Sequence, residues 1–200
     1  TFADEIVPIE IKKRDKVVGL VDTDDHIKPE TTLEGLSKLR AAFGKDGTVT
    51  GGNASGIVDG AAALVVTTGA TAKSNGWKPR ARILAWDTCG VDPSVMGIGP
   101  APAIRNTLEK AGLSIGDVDL FEINEAFSAQ YLAVEKELQL DRDKVNVNGG
   151  AVALGHPLGA TGTRLLLTLV HSLERSGKTY GIASACIGGG QGIAMLIERC

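Results

Sequence analysis

From about residue 79 onward, short apolar runs alternate with longer amphipathic ones, and the last two apolar runs are separated by only a glycine-rich turn. Residues 81–86, 119–123 and 145–147 read as strands. Residues 103–111, the stretch after Asn124 and residues 159–175 read as helices. Strands alternating with helices form layered α/β domains. Residues 180–186 and 192–197 are a different case. The turn between them, Gly188-Gly189-Gly190-Gln191, is far too short for a parallel crossover, so this pair must be antiparallel. The pattern predicts an α/β fold with a mixed, five-stranded sheet layered with helices.

The helices carry apolar stripes. Phe127, Tyr131, Val134 and Leu138 share one face, with Asn124 well suited to cap that helix. Leu165, Leu166, Leu169, Val170 and Leu173 mark the longest helix, and Gly112 stops the one at 103–111. The first 55 residues are charged and irregular, with a loop expected at 10–16. Thr31-Thr32-Leu33-Glu34 resembles a capping box with Thr31 as N-cap, and Leu33, Leu36, Leu39 and Phe43 follow at helical spacing before Gly44. Residues 47–60 read as a loop, 61–67 as a buried apolar helix or strand, and 70–75 as a helix.

Composition excludes several function classes. Lys plus Arg is 21 against 24 Asp plus Glu, and with no basic stripe nucleic acid is not an expected partner. Three cysteines without close spacing make neither a disulfide scaffold nor a four-cysteine zinc site, and three scattered histidines make no metal site. No apolar run approaches membrane-spanning length. Thr1-Phe2-Ala3-Asp4-Glu5 reads as a start inside a longer protein, and Ile197-Glu198-Arg199-Cys200 is not a peroxisomal tripeptide.

Three motifs could carry chemistry: Asn124-Glu125-Ala126-Phe127, Gly155-His156-Pro157-Leu158-Gly159, and Cys186-Ile187-Gly188-Gly189-Gly190-Gln191-Gly192. An amide, an imidazole and a thiol can together move a proton and stabilise an oxyanion. Taken singly, each also has a plain structural reading. His156 is fixed in a turn by Pro157, and a turn histidine needs no further role. Cys186 faces a run of backbone N–H groups that could form an anion nest and lower a thiol pKa, or it is a buried cysteine before a tight hairpin. Asn124 is a good helix cap.

In combination these segments resemble the thiolase family. Asn124-Glu125-Ala126-Phe127, the stretch Asn146-Val147-Asn148-Gly149-Gly150-Ala151 running into Gly155-His156-Pro157, and Cys186-Ile187-Gly188-Gly189-Gly190 match three of its signature blocks in order. Gly51-Gly52-Asn53-Ala54-Ser55-Gly56 and Val95-Met96-Gly97-Ile98-Gly99-Pro100 match two weaker ones. The chain resembles the C-terminal half of a family member. The resemblance places the tail of the loop domain at 1–55, the last segment of the N-terminal thiolase domain at 56–77, and the C-terminal domain at 78–200.

The resemblance also implies a reaction: CoA-dependent cleavage of 3-ketoacyl-CoA to acetyl-CoA and a shortened acyl-CoA, or the reverse condensation. Acyl-CoA and coenzyme A are then substrates, with no prosthetic group and no metal. The acyl-carrying cysteine would lie in the N-terminal half, since the setting of Cys89 does not match the family's nucleophile motif. This chain alone would then be inactive. His156 would be the general base, Cys186 the acid and base at carbon, and Asn124 and Gly188 would serve the oxyanion holes. Ser55, Met96 and Phe127 would contact the pantetheine arm or acyl chain. Homodimers or homotetramers, a role in fatty-acid β-oxidation and a lean toward the mitochondrial matrix, with the cytoplasm as alternative, follow from the same likeness. The competing readings are a non-catalytic CoA-binding chain and a structural half acting with the missing N-terminal half or another chain.

Overall fold

In the computed structural model residues 2–200 are described, and Thr1 lies outside the described residues. The N-terminal stretch is more ordered than its charge pattern predicts. β1 (Ile9–Lys13) and β2 (Lys16–Val21) form an antiparallel hairpin where residues 10–16 read as a loop. Arg14 and Asp15, at φ 49° and 63°, make its two-residue turn, a geometry that suits the strand twist. Both strands are exposed although Ile9, Ile11, Val17, Val18, Leu20 and Val21 are apolar, and the charged run Lys12-Lys13-Arg14-Asp15-Lys16 at the turn hides the pairing in sequence.

α1 (Leu33–Ser37) stops well short of Phe43, and its N-cap is Thr32 rather than Thr31. The Thr32 hydroxyl accepts from Gly35 N at 3.0 Å. Residues 61–67 form no regular element, and Val65 is 87% exposed, against the buried segment expected there. α2 (Gly69–Ser74) follows.

The remaining chain builds the layered domain: β3 (Ala81–Gly90), α3 (Pro100–Ala111), β4 (Leu120–Ile123), α4 (Ser128–Leu138), α5 (Ala151–Leu154), α6 (Thr161–Ser176), β5 (Tyr180–Ile187) and β6 (Gln191–Arg199). The sheet order is β3-β6-β5-β4, with β5 and β3 antiparallel to β6 and β4 parallel to β5. The mixed sheet is present, but its expected fifth strand at 145–147 is reduced to one parallel bridge between Val145 and Phe121. Asn146 takes φ 46° and spends its amide on the backbone of Ile123, donating to the carbonyl at 2.9 Å and accepting from the N–H at 2.8 Å. That side chain closes the edge of β4 and turns the chain away.

Period-two alternation feeds two cores. Phe121, Ile123, Ile182, Ala194 and Leu196 face α3 and α4, where Ile104, Leu108 and Val134 meet them. Leu120, Ala183 and Ile197 face α6 and meet Leu165, Leu169 and Leu173. Full burial of each such Leu, Ile or Phe is worth about 1.5–3 kcal/mol. α3 reaches the sheet through a backbone contact that only glycine allows. A Cβ on Gly192 would lie 1.9 Å from Gly99 O, at the entry to α3. The two helix layers and the glycine contact fix the end of the sheet where the three motifs emerge.

Candidate active site

β4 and β5 run parallel, so their C-terminal ends lie together. Asn124 leaves β4 with its N–H donating to Ser184 O at 2.9 Å, two residues before Cys186 on β5. Asn124 does not cap the following helix: α4 starts at Ser128 with Phe127 as N-cap. Its side chain, 1% exposed, turns instead toward His156, and Asn124 Nδ2 lies 3.3 Å from His156 Nε2.

His156 is held from both sides by backbone. Its N–H donates to Gly56 O at 2.8 Å, and it bridges Ile57 in parallel. The preceding residues join the other motif. Ala54 bridges Phe127, and Ser55 gives both its N–H and its hydroxyl to Ala126 O, each at 3.1 Å. The glycine-rich segment at 51–56 is therefore a stitch between the Asn124 and His156 loops.

The ring's tautomer follows from a hydroxyl that sequence reading missed. His156 Nδ1 lies 2.6 Å from Thr161 Oγ1, while that hydroxyl donates its one proton to Pro157 O at 3.0 Å. Thr161 must therefore accept from Nδ1–H. That leaves Nε2 unprotonated, accepting from Asn124 Nδ2 and available as a base. Burial, followed by the positive charge of Arg164, holds the imidazole pKa below its ordinary value, so the ring is neutral near neutral pH. Asn124 Oδ1 is buried with no hydrogen-bond partner among the described residues. An acceptor placed this way fits a water.

Cys186 sits near the end of β5, paired across β6 to Gly192. Burial raises its thiol pKa, and a backbone hydrogen bond offsets this only in part. The lowering that the nearby N–H groups could give is thus not what the fold gives, because desolvation of the thiolate outweighs the backbone hydrogen bond at Cys186. A protonated thiol is the form a proton donor needs. After it, Gly189 and Gly190 take φ 86° and 88°, and Gly190 O accepts from Val91 N at 2.7 Å. Gly188 opens this turn, its carbonyl accepting from Gln191 Nε2 at 3.3 Å.

Met96 and Phe127 line one open cavity of about 670 Å³ together with Val49, Pro93, Val95 and Gln130. Phe127 packs edge-on against Phe43, ring centres 5.9 Å apart. Ser55 is not among its walls. Gln130 was not legible as a site residue: its side-chain amide is buried with no hydrogen-bond partner among the described residues. His171 lies outside this region, its Nδ1 3.1 Å from Arg80 Nη2.

Comparison with known proteins gives the same pattern a family. The description "Thiolase, C-terminal domain" matches residues 77–199, and "Thiolase, N-terminal domain" matches residues 1–70. The chain belongs to the thiolase family. It is 55% identical over 197 residues to the mitochondrial 3-ketoacyl-CoA thiolase of Homo sapiens, covering 98% of this chain and 49% of that protein. It is also 55% identical over 198 residues to an acetyl-CoA acetyltransferase of Rhizobium meliloti, covering 99% and 50%. Among solved structures, the acetyl-CoA acetyltransferase of Bacillus anthracis superposes with a TM-score of 0.96 at 57% identity, over all of this chain and 50% of that one. Human mitochondrial 3-ketoacyl-CoA thiolase in complex with CoA gives 0.91 at 52%, over 100% and 49%. The thiolase chain described here thus spans about half the length of these relatives. Among its described residues no helix is long and apolar enough to cross a membrane.

Proposed function

We propose that this chain supplies the proton-handling half of a thiolase acting on 3-ketoacyl-CoA and CoA. The observation that carries the proposal is the array Asn124–His156–Thr161, which presents an unprotonated Nε2 at the sheet end where Cys186 and the glycine turn also emerge.

The nucleophile is a cysteine of the half that these relatives have beyond the length matched here. His156 Nε2 takes its proton, and the thiolate attacks C3 of the ketoacyl-CoA. When the C2–C3 bond breaks, its electron pair passes to acetyl-CoA as the enolate, and the Cys186 thiol protonates C2. The enolate oxygen is stabilised by His156 Nε2–H, now protonated, and by a water held on Asn124. CoA thiol then gives its proton to the Cys186 thiolate and attacks the acyl-enzyme, whose tetrahedral oxyanion rests on the Gly188 N–H and that of the nucleophile; collapse expels the nucleophile's thiolate, which takes its proton back from His156. Loss of one such donor costs roughly 3–4 kcal/mol in the barrier. The apolar cavity beside Met96 and Phe127 takes pantetheine or acyl chain, with Ser55 acting indirectly through Ala126. A role in fatty-acid β-oxidation, assembly as homodimer or homotetramer, and residence in the mitochondrial matrix belong to the same reading; of these, the names of the mitochondrial relatives support the residence alone.

The test is CoA-dependent cleavage of acetoacetyl-CoA by the full-length protein and by residues 1–200 alone. Turnover is expected only from the former. Turnover by the 200-residue chain would place the nucleophile within it, and inactivity of both would favour a non-catalytic, pairing role.

A further inference from the structure

Behind the His156 array lies a second polar layer that the mechanism above does not use. Glu122 precedes Asn124 by two residues on the α6 face of β4, where its neighbour in alternation, Leu120, is core. Arg164 follows Thr161 by three residues on α6, which places both on one face of the helix. Helical side chains lean toward the helix N-terminus. Arg164 therefore leans toward Thr161 and the imidazole bound to it.

The two ionisable groups meet inside the protein. Arg164 Nη1 lies 3.6 Å from Glu122 Oε2, with the side chains 19% and 2% exposed. Both terminal nitrogens of Arg164 and Glu122 Oε2 are buried without a hydrogen-bond partner among the described residues. Carboxyl groups surround the guanidinium from three elements: Glu122 on β4, Glu125 just after it, and Glu5 and Asp24 on the N-terminal segment. A buried ion contact without hydrogen bonds is commonly less stable than an apolar pair of the same volume. The fold nevertheless places a cation there, beside a histidine whose work depends on its protonation.

We propose that Arg164 is a positioning residue acting through His156: its buried guanidinium keeps the imidazole in the neutral, proton-accepting form. The same field favours the negative charge that develops on the nucleophile and the enolate. Burial of the ring is the larger cause of its lowered pKa, and Arg164 is the charged group that adds to it. Glu122 is held by burial up to about 8, so on the acid side of neutrality the carboxyl in contact with the guanidinium is neutral and does not itself cancel that charge.

The inference rests on His156 as the base proposed above, and the experiment separates the two. In the full-length protein, kcat/KM for acetoacetyl-CoA cleavage is measured against pH for the unmodified enzyme, Glu122→Gln, Arg164→Met and the double variant. The acid limb is expected to move up by about one pH unit in Arg164→Met and in the double variant, roughly a tenfold loss at a fixed acidic pH. In Glu122→Gln it is expected to stay in place. The double variant puts two neutral groups in the site, so the answer does not depend on folding around a lone carboxyl. An unmoved acid limb in the double variant, or an equal upward shift in Glu122→Gln, overturns the role of Arg164 while leaving the catalytic reading intact. Absence of cleavage by the unmodified protein would instead sink the catalytic reading.

Discussion

The Thr161 hydroxyl stands 2.6 Å from His156 Nδ1 and passes its own proton to the Pro157 carbonyl. Residues 156–161 thus close a loop in which the side chain at the start of α6 sets the tautomer of the imidazole that precedes it. The ring is oriented by an element only five residues away in sequence, and among the described residues no carboxylate hydrogen-bonds to it.

Thr161→Val keeps the β-branched shape and removes the acceptor for Nδ1–H. The ring then loses both its orientation and its preference for a bare Nε2. In the full-length protein kcat is expected to fall by one to two orders of magnitude, a part of the roughly 10²–10⁴ that a positioned base supplies. Thr161→Ser, which keeps the oxygen, is expected to stay within a few-fold. Equal losses in both variants would show that Thr161 only packs.

Glu122 gives a stability prediction with a definite sign. Burial raises its pKa from 4.5 to about 8. Between those values the folded state binds more protons than the unfolded one, so the contribution of Glu122 to stability is complete below about pH 4.5 and is lost as pH rises toward 8. Glu122→Gln removes that loss. Its stability relative to the unmodified protein should increase from pH 5 to pH 8.5, on the order of a few kcal/mol at the upper end. Thermal melts at the two pH values measure the change. A difference that is independent of pH would mean that Glu122 is ionised throughout.

Much of this was legible in the sequence, and the failures have physical causes. The strand–helix alternation and the antiparallel closing pair show directly, because buried faces write a period into the chain. The hairpin at 9–21 did not, since both its strands are exposed. Of the two readings of Asn124, the local one as a helix cap fails, and the one from family resemblance points the right way: capping is decided within one turn, whereas its partner His156 is 32 residues away. Thr161, Arg164 and Glu122 carried no local signal at all. Their meaning comes from α6 packing on β4, a contact between distant segments. The same holds for the Cys186 thiol, whose burial outweighs the backbone hydrogen bond at Cys186.

Gly192→Ala tests the contact that seats α3. The new methyl would fall on the carbonyl and Cα of Gly99, which are backbone and cannot rotate aside. Either α3 moves off the sheet or β6 bends, and overpacking of this kind costs about 1–3 kcal/mol. The urea midpoint of the full-length protein is expected to fall. Because Gly192 pairs with Cys186, kcat should fall with it. A midpoint equal to that of the unmodified protein would show that the two backbones can part without cost.

Cys186→Ser separates the two proton-handling roles. In the proposed mechanism His156 activates the nucleophile, whereas Cys186 moves the proton on carbon. The fold already holds the Cys186 thiol on its protonated side, so substitution does not remove a standing charge. A serine hydroxyl is far less acidic than a thiol, and it is the carbon protonation step that needs that acidity. In the full-length protein, deuterium exchange at the acetyl carbon of acetyl-CoA should therefore fall by roughly 10²-fold or more, within the range of general acid–base effects. Label transfer from acetyl-CoA to the protein should change little, since the nucleophile keeps its base. His156→Ala should suppress both, because the nucleophile loses its base and the enolate loses a donor. If Cys186→Ser abolished labelling and left exchange intact, the two roles would have to be exchanged.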